Sequence, residues 1–149
     1  MAVGANGTID LATRVANLES LLEVGGSSAN GLNGLLQCGE APPPVLASAD
    51  GAITATSGTV LITKASAAAL TLAAPTAGAI SAGGDDGKIL RIVSVTAAAH
   101  TVTNTSPGFN AAGSGGDVAT YGAAKGNAME IQAYQGVWYA TNLTGVTLG

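Results

Sequence analysis

Charge is scarce in this sequence: 9% of its 149 residues are Asp, Glu, Lys or Arg, five basic against nine acidic, for a formal net charge of −4. The basic residues are scattered. Phosphate binding needs grouped Lys or Arg, so nucleic acid is not an expected partner. Aromatics are scarcer still, at 3%. The hydrophobic fraction of 47% is carried largely by alanine, and a further 22 residues are glycine. Ordering the backbone costs about 1–2 kcal/mol per residue, and Ala and Gly return little burial against it. A core this thin is expected to lean on neighbouring copies of the same chain.

The single cysteine, Cys38, has no partner for an internal disulfide. Met1-Ala2-Val3-Gly4 shows neither the basic stretch nor the apolar run of a secretion signal, so synthesis and assembly are expected in a host cytoplasm. No stretch reaches the roughly 20 continuous apolar residues of a membrane span, because Thr, Gly and Pro interrupt the Ala-rich windows; no membrane partner is expected.

Candidate chemistry is equally sparse. The one histidine, His100, lies in an alternating run with Thr101, Val102 and Thr103 and reads as a strand residue, not as the base of a hydrolytic site. One His and one Cys far apart make no zinc signature. Asp85-Asp86 could offer hard ligands, but the Gly87 that follows marks an ordinary turn, with Asp capping local amides. Gly113-Ser114-Gly115-Gly116 lacks the Lys-Ser or Lys-Thr pair and the helix of a phosphate cradle. Trp138, with Tyr134 and Tyr139, could stack on a sugar or a base, yet in a chain so poor in aromatics it is the expected core plug. A wall-degrading enzyme needs paired carboxylates, and only Glu130 sits on a β-face. The expectation is a non-enzymatic protein without cofactor or metal.

Residues 1–24 are expected to form a helical oligomerisation segment. Thr8 caps a helix over 8–24, Asp10 sits in its first turn, and Gly25-Gly26 stops it. Leu11, Val15, Leu18 and Leu22 repeat as d, a, d, a over two heptads, with Arg14 at g and Glu19 at the following e, the pattern of a parallel coiled coil. The alternative for so short a pattern is an amphipathic helix packed on its own domain. Residues 25–50 read as a Gly/Ser/Pro-rich connector whose apolar cluster Leu32, Leu35 and Leu36 could dock on a capsid or a neighbouring subunit.

Residues 51–149 carry short Thr, Val and Ile runs between Gly, Asp and Asn, the signature of a β-domain. Strands are expected at 53–57, 59–64, 70–73, 88–96, 100–105, 118–121, 128–134, 137–141 and 143–148. The run from Lys88 to Val95 is apolar on both faces apart from Arg91 and its ends, marking a strand through the middle of the fold. Met129, Ile131 and Ala133 alternate with Glu130, Gln132 and Tyr134, and Gln135-Gly136 turns that strand into Val137-Trp138-Tyr139 as a hairpin. The fold class is mainly β: a small β-sandwich or barrel-like domain preceded by a short N-terminal helix, which could form a trimeric coiled coil.

Four segments in order, Leu70-Thr-Leu-Ala-Ala-Pro-Thr-Ala-Gly78, Asp85-Asp-Gly-Lys-Ile-Leu90, Ala97-Ala-Ala-His-Thr-Val-Thr103 and Ile131 to Trp138, carry a resemblance. Over roughly residues 50–142 the chain resembles head-decoration (cement), head-fibre and fibre proteins of tailed bacteriophages. The resemblance implies a homotrimer on the capsid surface, bound to the major capsid protein, locking capsomers together or projecting as a short fibre. The competing expectation is a tail-fibre or receptor-binding module that recognises a host-surface glycan, which exposed aromatics around Tyr121 and Tyr134 would favour.

Overall fold

The computed structural model describes residues 42–149, and they are mainly β. Ten strands run in order: β1 Val45–Ala47, β2 Gly51–Ile53, β3 Gly58–Ile62, β4 Ala69–Leu72, β5 Ile89–Ser94, β6 Thr101–Thr103, β7 Val118–Tyr121, β8 Ala128–Tyr134, β9 Val137–Thr144 and β10 Val146–Leu148. They form two mixed sheets of five, ordered β1-β3-β5-β8-β9 and β10-β7-β6-β4-β2.

The first six strands alternate between the sheets and are parallel within each: β1 with β3 with β5, and β2 with β4 with β6. Parallel neighbours cannot be joined by a tight hairpin and need a crossover. Here each crossover is a strand of the opposite sheet, so the chain winds as a short two-sided coil. β7 then runs antiparallel to β6, β8 antiparallel to β5, and β9 and β10 close the two sheets antiparallel.

β7 and β8 occupy the segments expected from the sequence. The hairpin after β8 turns on Gln135 and Gly136, both at positive φ (48° and 80°), as a two-residue turn matched to strand twist requires. Other segments differ. Val45–Ala47, within the expected connector, pairs with β3 and completes the first turn of the coil. The strand expected over 53–57 is instead Gly51–Ile53, because the chain must leave that sheet to reach β3. β9 runs through Thr144 past a bulge opposite Glu130 and Ile131, and Gly145, at φ 63°, redirects β10 into the other sheet.

One core lies between the sheets. Val60, Ile62, Leu90, Ile92, Met129, Ile131 and Trp138 enter it from the first; Leu70, Leu72, Val102 and Tyr121 from the second; Phe109 plugs it from a 3-10 turn. Full burial of each large apolar side chain contributes about 1.5–3 kcal/mol. Trp138 is the expected plug: it is fully buried, with Nε1 donating to the Ala73 carbonyl at 2.9 Å. β5 is the middle strand of its sheet, but only Leu90, Ile92 and Ser94 are buried; Ile89 remains 49% exposed. The expectation of cover on both faces therefore holds on one side only, since no described element packs outside β5.

Candidate functional site

Among the described residues, the side chains best suited to chemistry, His100, Asp85 and Asp86, are engaged in holding the chain. His100 is fully buried just ahead of β6. Its Nδ1 accepts the Ala68 amide at 3.0 Å, so that nitrogen is unprotonated. Nε2, 2.9 Å from Thr96 Oγ1, then carries the proton and donates, and Thr96 passes its own to the Lys64 carbonyl at 2.8 Å. Burial, and secondarily the Lys64 charge, pushes the imidazole below its ordinary pKa. A neutral ring saturated at both nitrogens ties the β3–β4 loop to the β5–β6 loop.

Asp85 and Asp86 point apart. Asp85 accepts the Thr76 amide at 2.7 Å and Lys88 Nζ at 2.6 Å, and that ammonium first, then the amide, holds its pKa below the usual carboxylate value. Asp86 accepts both the amide and the side-chain Nε2 of Gln135, each at 2.7 Å. The turn reading therefore accounts for both carboxylates, and it joins the Pro75-Thr76 loop, the Asp-Asp-Gly turn and the late hairpin into one corner. A Cβ at Gly84 would run into the Gly78 carbonyl, so this corner closes only around glycine. Among the described residues no group of three or more His, Cys, Asp or Glu could hold a metal ion.

What remains to act outward is surface. On the second sheet two in-register rows, Ala69–Thr101–Thr120–Thr147 and Ala52–Thr71–Thr103–Val118, present threonine to solvent. The repeated Thr-Val-Thr spacing at 101–103 is the only trace of this array in the sequence. At its β2 edge an open groove of about 490 Å³ is lined by Ile53, Thr54, Thr56, Leu72 and Thr105, among others. The outer face of the first sheet is different: Leu46, Ile89, Val95, Tyr134 and Tyr139 all stand exposed on it or at its rim.

The aromatics divide. Tyr121 is fully buried, whereas Tyr134 is 59% exposed and, with Tyr139, Gln132 and Gly87, frames a hollow of about 240 Å³ at the hairpin end. Of the tyrosines considered for glycan contact, Tyr134 and Tyr139 are exposed and Tyr121 is not. The expected seam residues Leu11, Arg14, Val15, Leu18, Glu19 and Leu22, and the expected docking cluster Leu32, Leu35 and Leu36, lie outside the described residues. No helix among the described residues is long and apolar enough to cross a membrane. Compared with known proteins, the chain matches no family model, no curated protein and no solved structure.

Proposed function

We propose that the chain is a structural protein of a tailed-phage virion: a capsid decoration (cement) or head-fibre protein whose β-sandwich head, carried by the N-terminal helical seam, binds the major capsid protein as a homotrimer. The observation that carries this reading is the division of labour in residues 42–149. His100, Asp85, Asp86 and Trp138, the residues best suited to chemistry, are all consumed in fastening turns and core. Two broad β-faces are left, poor in charge and suited to contact with other protein. Three of the four segments behind the phage resemblance meet in one corner, where Thr76, Asp85, Asp86 and Gln135 interlock.

Immunogold labelling of intact particles tests this reading. Label over the head surface is the expected result; label confined to the tail tip, or none on purified particles, overturns it. Tyr134 and Tyr139 favour a second reading, a glycan-binding tail module. Tail-tip label together with glycan binding lost in Tyr134→Ala would establish that one.

A further inference from the structure

Phe109, Tyr121 and Trp138 are fully buried, so Tyr134 and Tyr139 are the chain's only exposed aromatics. Both stand at the hairpin end of the first sheet. Gln132 pairs with Tyr139 and Tyr134 with Val137, which makes the two tyrosines diagonal neighbours on one face, within reach of each other. On the other side of β8, Ile89 pairs with Gln132. Gly87 precedes Ile89 by two residues, its amide bonded to the Ala133 carbonyl at 2.8 Å, and brings no side chain. The hollow of about 240 Å³ opens there, framed by both tyrosines, Gln132 and Gly87. Farther along the same face Arg91 pairs with Glu130, Nε and Nη2 reaching one carboxylate oxygen at 3.2 and 2.6 Å.

We infer that this end of the first sheet is a binding site for a neutral saccharide, with one pyranose ring seated in the hollow against Tyr134 and Tyr139. The inference names the ligand class of the second reading above and rests on it. A pyranose carries polarised C–H groups on its flat face and hydroxyls at its rim. The C–H face matches the electron-rich face of a tyrosine ring. The Gln132 carboxamide, exposed beside the hollow, offers a donor and an acceptor to neighbouring hydroxyls. Ile89, 49% exposed, extends the apolar side of the site. From Tyr134 to Glu130 the strand rises about 13 Å, room for a second linked ring whose hydroxyls meet the Arg91–Glu130 pair. Charge selects against anionic ligands. The two cations on this part of β5 and its approach are already neutralised, Arg91 by Glu130 and Lys88 by Asp85, each at 2.6 Å. A carboxylated sugar or a nucleotide phosphate would therefore meet no free cation there, on a chain whose net charge is −4.

The test presents the full chain to an array of neutral and anionic oligosaccharides. Neutral glycans should be retained, and Tyr134→Ala and Tyr139→Ala should each weaken that retention about tenfold or more. Tyr134→Phe, which preserves the ring face, should keep most of it, and Thr120→Ala on the opposite sheet should change nothing. Both tyrosines are exposed, so the circular-dichroism spectrum of each variant should match the wild type. No neutral glycan retained, retention of anionic glycans alone, or retention indifferent to both alanine variants overturns the inference. Neutral-glycan binding with label over the head removes the tail placement and keeps this site; tail-tip label without neutral-glycan binding removes this site and keeps the placement.

Discussion

The Tyr121 hydroxyl donates to the Ile92 carbonyl at 3.2 Å, a bond that spans the core from β7 of one sheet to β5 of the other. Burial raises the phenol far above its ordinary pKa, so it remains a donor at any working pH. Tyr121→Phe keeps the ring and removes this cross-core bond. The expected loss is about 1 kcal/mol in denaturant unfolding, with an unchanged m-value. An unchanged midpoint would show that the bond adds nothing beyond the ring's packing.

His100 gives the fold a pH dependence whose sign follows from its lowered pKa. The unfolded imidazole takes up its proton near pH 6.5, while the folded one resists because Nδ1 is already accepting the Ala68 amide. Its contribution is thus complete above about pH 6.5 and shrinks as the pH falls from there toward the folded value. Thermal midpoints should drop between pH 7 and 5. The drop should flatten in His100→Gln, whose amide offers one acceptor and one donor; an equally steep drop in that variant would assign the effect elsewhere.

Asp85 acts in a separate, more acidic window. Its pKa is held below the ordinary value of 3.8, so its contribution is present above that value and is lost as the pH falls below it. Asp85→Asn keeps the shape and removes the charge facing Lys88. It should cost about 1–3 kcal/mol at neutral pH and increase hydrogen exchange at the Thr76 amide. Wild-type protection at that amide would overturn the fastening role.

The proposed N-terminal seam predicts that replacing Leu18 and Leu22 together with Asp lowers the sedimenting mass of the full chain, because charge would take two of its four apolar positions. An unchanged mass refutes the seam and leaves the association to other surfaces.

Much of the strand content was legible because alternation and turn chemistry are local. Met129, Ile131 and Ala133 announce one buried face of β8, and Gln135-Gly136 announces its hairpin, without reference to anything distant. The Asp85-Asp86-Gly87 turn was legible for the same reason. Its partners were not, since Thr76 and Gln135 meet it only after the chain has wound between the sheets. Tyr121, expected among candidate exposed aromatics, proved buried because its strand parity turns it inward; the two Thr rows escaped notice because each strand supplies only one or two of their members.

The sequence by itself determined where most of the strands fall, which side chains each directs to one side, and that few groups are available for chemistry. These follow from residue identity and a two-residue period, both written along the chain. Only the tertiary structure decided that the first six strands run parallel in two sheets, that Val45–Ala47 belongs to the fold, and that the described residues cover β5 on one face alone. Strand pairing joins residues far apart in sequence. An apolar side chain records that it can be buried, and its neighbours in space decide whether it is.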